Sequence, residues 1–295
     1  MKLGILTRNA EAWCSSQLIR AIKARGVDPV SFSFPDVLAR VACKPEIEIA
    51  NEVGNLQNVA AVIVRPIGRG SLDEIIFSLD LLHRIERLGV PVVNPPSAVE
   101  KAVDKYYALT LLEENGIRVP RTVVTESPSR ALRAFRELGG DVVVKPIFGS
   151  RGMGVTRVSD VEVARRIFRS LAFMHNVLYV QEFVSHGTRD IRAFVIGGHV
   201  VAAMYRVAEG WRTNVGQGAR VVSFKPTSEL EELAVRASKV LGCQISGVDV
   251  MEGSQGYIIN EINSQPGFRA LQSTTKVDIA GAIVDHVLEL ADKKK

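Results

Sequence analysis

Gly247-Val248-Asp249-Val250-Met251-Glu252-Gly253-Ser254-Gln255-Gly256-Tyr257-Ile258-Ile259-Asn260-Glu261-Ile262-Asn263 reads as two strands joined by a tight turn. Side chains along a strand alternate faces, so Glu261 and Asn263 point the same way, and the hairpin return brings Asp249 beside them. A three-residue loop with Gly256 in the left-handed region pairs residue 253 with 257 and predicts Asp249 opposite Glu261. A two-residue turn would put them on opposite faces. Carboxylates and an amide are hard oxygen donors, suited to Mg or Mn held together with phosphates rather than to zinc. An acidic residue on each of two adjoining strands is also what a solvated sheet edge looks like, so the rest of the chain must decide.

Composition sets the frame. The chain has 295 residues, 46% hydrophobic and 23% charged, enough for a substantial core divided among two or three domains. No apolar run is long enough for a membrane span, and Met1-Lys2-Leu3-Gly4-Ile5-Leu6 meets polar Thr7-Arg8-Asn9 too early for a signal peptide. A cytoplasmic location is expected. The 3 cysteines, Cys14, Cys43 and Cys243, are far apart and in no Cys-x-x-Cys spacing, which argues against a disulfide framework and against zinc. Net charge is +5 and the pI near 9.2, favouring anionic partners without selecting among them. Lys and Arg are scattered, and Lys293-Lys294-Lys295 reads as a frayed tail.

The first part alternates strand and helix. Lys2 to Leu6, a helix from about Ser16 to Arg25 closed by Gly26, and Pro29 to Phe34 come first. Ala60 to Val64 and Val90 to Val93 then flank an amphipathic helix near Leu72 to Leu88. This predicts a small parallel sheet with helices. Asn94-Pro95-Pro96 is a boundary, after which Ser97-x-x-Glu100 opens a helix as a capping box, carries Asp104-Lys105 and ends at Gly116. Val119 to Val124, a helix near Ser129 to Leu138 and Val142 to Lys145 lead to a glycine loop; Val155 to Val158, a helix begun by Ser159-x-x-Glu162 and Leu178 to Val184 follow it. From Ile191 the pattern changes to a hairpin turning at Gly197-Gly198, then a helix from Ser228 to Leu241, the strands around Asp249 and Glu261, and a closing helix from Ile279 to Leu290. The expected units are 1–96, 97–185 and 186–295, an α/β fold that is α+β in its later parts.

Lys145-Pro146-Ile147-Phe148-Gly149-Ser150-Arg151-Gly152-Met153-Gly154 lies between strands. Its glycines free backbone N–H groups to wrap a polyphosphate while the lysine reaches an anionic oxygen; a mobile hairpin turn is the other reading. It is neither a Walker loop nor a dinucleotide fingerprint, both of which open a helix. Leu178-Tyr179-Val180-Gln181-Glu182-Phe183-Val184 is an apolar strand broken by Gln181-Glu182, either a hinge whose backbone reads an adenine edge or a buried strand reaching the surface. Arg192, Arg206 and Arg212 follow; guanidinium groups fork onto phosphates and carboxylates, though each alone could be a surface charge. No Gly-x-Ser-x-Gly elbow or Cys-His pair marks a side-chain nucleophile, and the histidines read as structural.

Taken in order, Asp104-Lys105, Val143-Val144-Lys145, Gly149-Ser150-x-Gly152-x-Gly154, Val180 to Val184, Asp190-Ile191-Arg192, Arg212-Thr213-Asn214, Gly247-Val248-Asp249 and Asn260-Glu261-Ile262-Asn263 resemble an ATP-grasp ligase, more closely the RimK type of α-L-glutamate ligases. The likeness runs through Pro266-Gly267, Thr274-Thr275 and Asp278-Ile279-Ala280-Gly281. It implies an ATP-grasp fold, an N-terminal parallel-sheet domain followed by two α+β domains that sandwich ATP. Lys105 and Lys145 then contact the α and β phosphates, Gly149, Ser150, Gly152 and Gly154 close over the γ phosphate, and Gln181, Glu182 and Val184 hold adenine. Asp249, Glu261 and Asn263 bind one or two Mg or Mn ions. Arg206 and Arg192 are the catalytic cations, and Arg212 and Asn214 sit near phosphate or substrate.

The implied reaction is amide formation through an acyl phosphate, with glutamate as the amine, a carboxylate acceptor, and ADP and phosphate as further products. A homo-oligomer, with neither nucleic acid nor membrane as partner, goes with it. Loop 214–220 lacks the basic, glycine-rich character of the ribosomal-protein-modifying members, and Pro-Gly is followed by Phe268-Arg269. The start of the chain and the Trp211 loop are more similar to archaeal relatives that attach glutamate to a pterin or deazaflavin coenzyme, so tetrahydromethanopterin is the expected acceptor. A ribosomal protein C-terminus, an amino-group carrier protein and a non-catalytic ATP-binding module are the rivals. Trp13 either stacks on a flat ring or packs as core. Arg65, in Arg65-Pro66-Ile67-Gly68-Arg69, ends a parallel strand on the side where such sheets bind ligands and is expected, with Arg269, at the acceptor.

Overall fold

Short β-branched runs separated by amphipathic helices build the first sheet from β1 (Lys2–Leu6), α1 (Trp13–Ala24), β2 (Asp28–Phe32), β6 (Val59–Val64), α2 (Leu72–Arg87) and β7 (Val92–Val93). Its order is β2-β1-β6-β7, with every pairing parallel, as predicted. Strand β6 is buried almost throughout, as a strand covered on both faces must be. Between β2 and β6 the sequence reading missed a small antiparallel sheet of β3 (Val37–Ala39), β4 (Ile47–Ile49) and β5 (Gly54–Asn55), whose strands are too short to show a period. The computed structural model describes residues 1–50, 54–68, 70–149 and 152–293, so Arg69, Ser150 and Arg151 lie outside the described residues.

The single helix expected from Ser97 to Gly116 is two, α3 (Pro96–Val103) and α4 (Lys105–Glu114). Asp104 is extended (φ −88°, ψ 103°), and its carboxylate accepts from the Tyr107 N–H at 3.0 Å, capping α4. The Ser97 capping box does not form, because the helix starts earlier, with Pro95 at its cap and Pro96 in its first turn. Lys105 thereby becomes the first residue of α4 rather than a mid-helix side chain.

A second, antiparallel sheet contains β8 (Thr122–Thr125), β9 (Val142–Lys145), β10 (Thr156–Val158) and β11 (Leu178–Glu182), ordered β10-β9-β11-β8. Helices α5 (Pro128–Glu137) and α6 (Val161–Phe173) cover one face, burying Phe135 and Phe168 against Val142, Val144, Leu178 and Val180. The cap of α6 is Asp160, not Ser159.

The third sheet has the order β14-β13-β12-β15-β16, all antiparallel, from β12 (Arg189–Ile196), β13 (His199–Val207), β14 (Arg220–Phe224), β15 (Ile245–Gly253) and β16 (Gly256–Asn263), with α7 (Ser228–Leu241) packed against it. The Gly197-Gly198 turn has φ of +56° and +84°, the left-handed pair that a two-residue hairpin turn needs. Asp249 does pair with Glu261, but not through the predicted loop. Gly253 pairs with Gly256 across a two-residue turn, which alone would set Asp249 opposite Asn260; the register shifts between Val250 and Asp249, leaving Asn260 as a bulge and restoring Glu261 as the partner. Gly256 has its positive φ of +102°, yet the bulge supplies the extra residue.

After the short α8 (Arg269–Gln272), α9 (Ile279–Asp292) returns to the first sheet and packs against α1 and β6. Ile283, Val284 and Val287 share one core with Leu3, Ile5, Leu18 and Ile22. Asn94, immediately after β7, joins the sheets: Oδ1 accepts from the Gln244 and Ile245 N–H groups at 2.7 and 2.8 Å, and Nδ2 donates to the Ile245 and Ser264 carbonyls. Among the described residues no helix is long and apolar enough to cross a membrane.

Candidate active site

An open cleft is lined by residues of the second and third sheets and of the loops between them. Lys145 ends β9 and reaches in from its last position; Lys105 enters from the first turn of α4. The Lys145 ammonium donates to Asn260 Oδ1 at 3.0 Å, and Lys105 Nζ donates to the carbonyls of Ile147 and Gly149 at 3.3 and 3.0 Å, tying the helix to the glycine loop. Burial pushes Lys145 down to about 8, opposed by Glu261 and Asp249 and helped by Lys105. Burial also lowers Lys105. A basic cluster held this deep prefers an anion between its members.

Asp249, only 3% exposed, carries an ion pair to each of two arginines. Arg192, its cross-strand neighbour on β12, donates through Nε and through Nη2 at 2.9 Å; Arg206 Nη2 approaches at 3.2 Å. Burial opposes ionisation of Asp249, but the two guanidinium groups outweigh it and hold the carboxyl below its usual range. Arg206 is 5% exposed and also forks onto Asp190, Nε at 2.7 Å and Nη2 at 2.5 Å, so its charge is kept despite burial. Arg192 does not line the cleft: its side chain lies over Gly247, where an added Cβ would come within 2.7 Å of Nη1. Glu261 and Asn260 line it; Asn263 does not, and its Nδ2 donates weakly to the Gly247 carbonyl at 3.4 Å.

At the Gln181 to Val184 segment the side chains point to structural partners. Gln181 Nε2 donates to Thr122 Oγ1 and Tyr179 Oη at 3.0 and 3.1 Å, and Glu182 accepts from Arg121, at the backbone N–H at 2.9 Å and at Nε at 2.6 Å. What that strand end can offer a ligand is its backbone. Beside it Phe183 stands edge-on to Trp211 at 5.9 Å, and Val143 and Met251 add apolar lining.

The Trp211 to Asn214 loop meets the glycine loop. Arg212 Nη2 donates to the Val155 carbonyl at 3.3 Å, and Asn214 Oδ1 packs so closely on Gly152 that a Cβ there would come within 2.5 Å, at a φ of +70° that also demands glycine. Gly149, Gly152, Arg212 and Asn214 line the cleft, whereas Gly154 does not. Ser150 lies outside the described residues.

The expected acceptor residues sit elsewhere. Arg65, 8% exposed, lies apart from that cleft, among Leu6, Thr7, Phe34, Pro66 and Ile67 at the carboxyl end of the first sheet. Its Nη1 and Nη2 each donate to the Pro266 carbonyl at 3.2 Å, and burial lowers its pKa. Arg269 is exposed at the start of α8. Trp13 meets Phe268 edge-on at 5.6 Å against the shared core, which favours the packing reading. Sequence reasoning gave no role to Asn260, Asp190 or Asn94; a bulge, a buried ion pair and a bridge between sheets leave no local signal.

The RimK-like ATP-grasp domain profile matches residues 102–287. The chain is 34% identical over 285 residues to the tetrahydromethanopterin:alpha-L-glutamate ligase of Methanosarcina acetivorans, covering 88% of this chain and 85% of the relative. It is 31% identical over 296 residues to the protein of the same name from Methanococcus maripaludis, covering 99% of each. Its backbone is similar to that of the ATP-grasp ligase PsnB complexed with a phosphomimetic variant of minimal precursor, Mg and ADP: TM-score 0.74, 24% identity, 98% of this chain and 97% of that one.

Proposed function

Since the chain belongs to the RimK-like ATP-grasp family of ATP-dependent carboxylate–amine ligases, we propose that it joins glutamate to a carboxylate of a pterin coenzyme, tetrahydromethanopterin, through an acyl phosphate. One observation carries the reading: Lys105, Lys145, Asn260, Glu261, Asp249 and Arg206 line one cleft with Gln181 to Val184 at the end of β11. The acceptor follows the names of relatives whose lengths are matched by this chain to 85% and 99%.

In this reading the units 97–185 and 186–295 face each other across ATP. Adenine lies along the Gln181 to Val184 backbone, Lys105 and Lys145 take α and β phosphate oxygens, and the glycine loop, through Gly149 and Gly152, covers the γ phosphate. The acceptor carboxylate oxygen attacks the γ phosphorus and ADP leaves; the glutamate nitrogen attacks the acyl carbon, phosphate leaves and the nitrogen loses a proton. Arg206 stabilises charge on the transferring phosphoryl group, and Arg192 acts through Asp249. Arg212 and Asn214 hold the loop junction near substrate, and Arg65 and Arg269 form the acceptor side. The protein supplies position and charge, and the closed loop excludes water.

The donor set fits magnesium or manganese. Asp249 and Glu261, both in the cleft lining, would supply carboxylate oxygens, with Asn263, on the same strand as Glu261 but outside that lining, as the expected third donor; among the described residues no group of three His, Cys, Asp or Glu side chains gathers as a self-sufficient site. An ion held by these residues would need further oxygen donors from phosphate and water, which suits magnesium. When bound it neutralises phosphate charge.

The test is mass analysis after incubation with Mg-ATP, glutamate and, in separate tubes, tetrahydromethanopterin, a deazaflavin coenzyme, a ribosomal protein tail or an amino-group carrier protein. Glutamylated pterin with matching ADP and phosphate is expected, and Glu261→Ala should abolish it. Glutamate on another acceptor, or none on any, refutes the pterin assignment; turnover kept by Glu261→Ala sinks the metal assignment.

A further inference from the structure

Asp190 opens the Asp190-Ile191-Arg192 run, yet the reading above gives it no task. It is 4% exposed, lines the cleft and lies opposite Arg206 in the β12–β13 register. Across the next strand pair Arg192 lies opposite Asp249. Side-chain charges therefore alternate over three adjoining strands, Asp190, Arg206, Asp249, Arg192, each bonded to the next.

Arg206 has a choice of carboxylates. A guanidinium prefers a two-pronged fork on one carboxylate to a single contact. Its fork, Nε and Nη2, is on Asp190 at 2.7 and 2.5 Å, and only Nη2 touches Asp249, at the longer distance of 3.2 Å. Without Asp190 the nearest anion left to Arg206 is Asp249, on which the fork would close. That would draw the guanidinium toward Asp249 and compete for the carboxylate oxygens.

We infer that Asp190 is a positioning residue, which grips Arg206 by its Nε–Nη2 edge and keeps the guanidinium on the cleft wall, limited to a single contact with Asp249 and facing the transferring phosphoryl group. The inference rests on the reading of Arg206 given above. It needs no acceptor to be known.

The test uses the full chain and two probes, Mg-ATP and Mg-ADP with aluminium fluoride, a mimic of the phosphoryl group in transit, each titrated by calorimetry. D190N should bind Mg-ATP within about 3-fold of the unaltered protein but lose about 100-fold on the aluminium fluoride complex, the effect of a misplaced charge donor. R206M should show the same split, and D190N/R206M should be no weaker than R206M, because Asp190 acts only through Arg206. Should D190N fail to fold, D190E decides: it keeps the buried charge but displaces the fork by a methylene, and must show the split at about 10-fold or more. Unchanged aluminium fluoride binding in D190N or D190E, or losses that multiply in the double variant, overturn the role of Asp190. No effect of R206M overturns the reading of Arg206 itself, and this inference with it.

Discussion

Lys145 shows how far a single residue can be read from sequence. A lysine ending an apolar strand before a glycine loop announces an anion site, but its proton affinity depends on what lies around it. Burial, countered by Glu261 and Asp249, lowers it from 10.5 to about 8. The ammonium that would hold a phosphate oxygen is thus complete below that pH and lost above it. We expect kcat/KM for ATP, which reports the free enzyme, to fall about tenfold per pH unit above about 8. A profile still flat two units higher would refute the role. For stability the sign is opposite: between about 8 and 10.5 the unfolded chain binds the extra proton, so this group adds stability as pH rises through that window. Asp249 and Glu261 were legible as oxygen donors for the same reason as Lys145, by residue type and strand position. The two arginines on Asp249 were not, since pairing across strands leaves no trace in spacing.

Among the elements, the β15–β16 hairpin separates a correct pairing from its cause. Sequence gave Asp249 opposite Glu261 through an assumed loop; the structure reaches it with a shorter turn and a bulge at Asn260. The bulge has a consequence: Asn260, the extra residue, meets the Lys145 ammonium at 3.0 Å. Asn260→Ala keeps the backbone and removes that contact, so KM for ATP should rise about tenfold, the worth of one hydrogen bond to a charged group, with melting little changed. A KM within twofold would show the contact to be idle. Asp104 teaches a similar lesson. Its capping role competed with a plausible box at Ser97, and propensity alone could not say that one helix was two.

At the scale of the molecule, the first sheet is finished by the last helix and pinned by Asn94. Four hydrogen bonds join that amide to Gln244, Ile245 and Ser264, and Arg65 adds Pro266, so two residues at the ends of parallel strands grip the loop that follows Asn263. Asn94→Ala leaves buried backbone groups unpaired. It should lower stability by about 2–4 kcal/mol in calorimetry or denaturant titration, and no measurable loss would mean the sheets are held by packing alone. What the sequence by itself determined is what neighbours along the chain encode: the alternation of strands and helices, the glycine turns, the oxygen donors and the ordered motifs of the family. Only the tertiary structure decided the bulge that sets the hairpin register, the Asp190–Arg206–Asp249–Arg192 chain and the Asn94 bridge, whose partners lie up to 170 residues apart. Periodicity reports which face a side chain takes. Which distant group meets it there follows from packing of the whole chain, and a one-residue bulge or a buried ion pair changes that meeting without altering any local pattern.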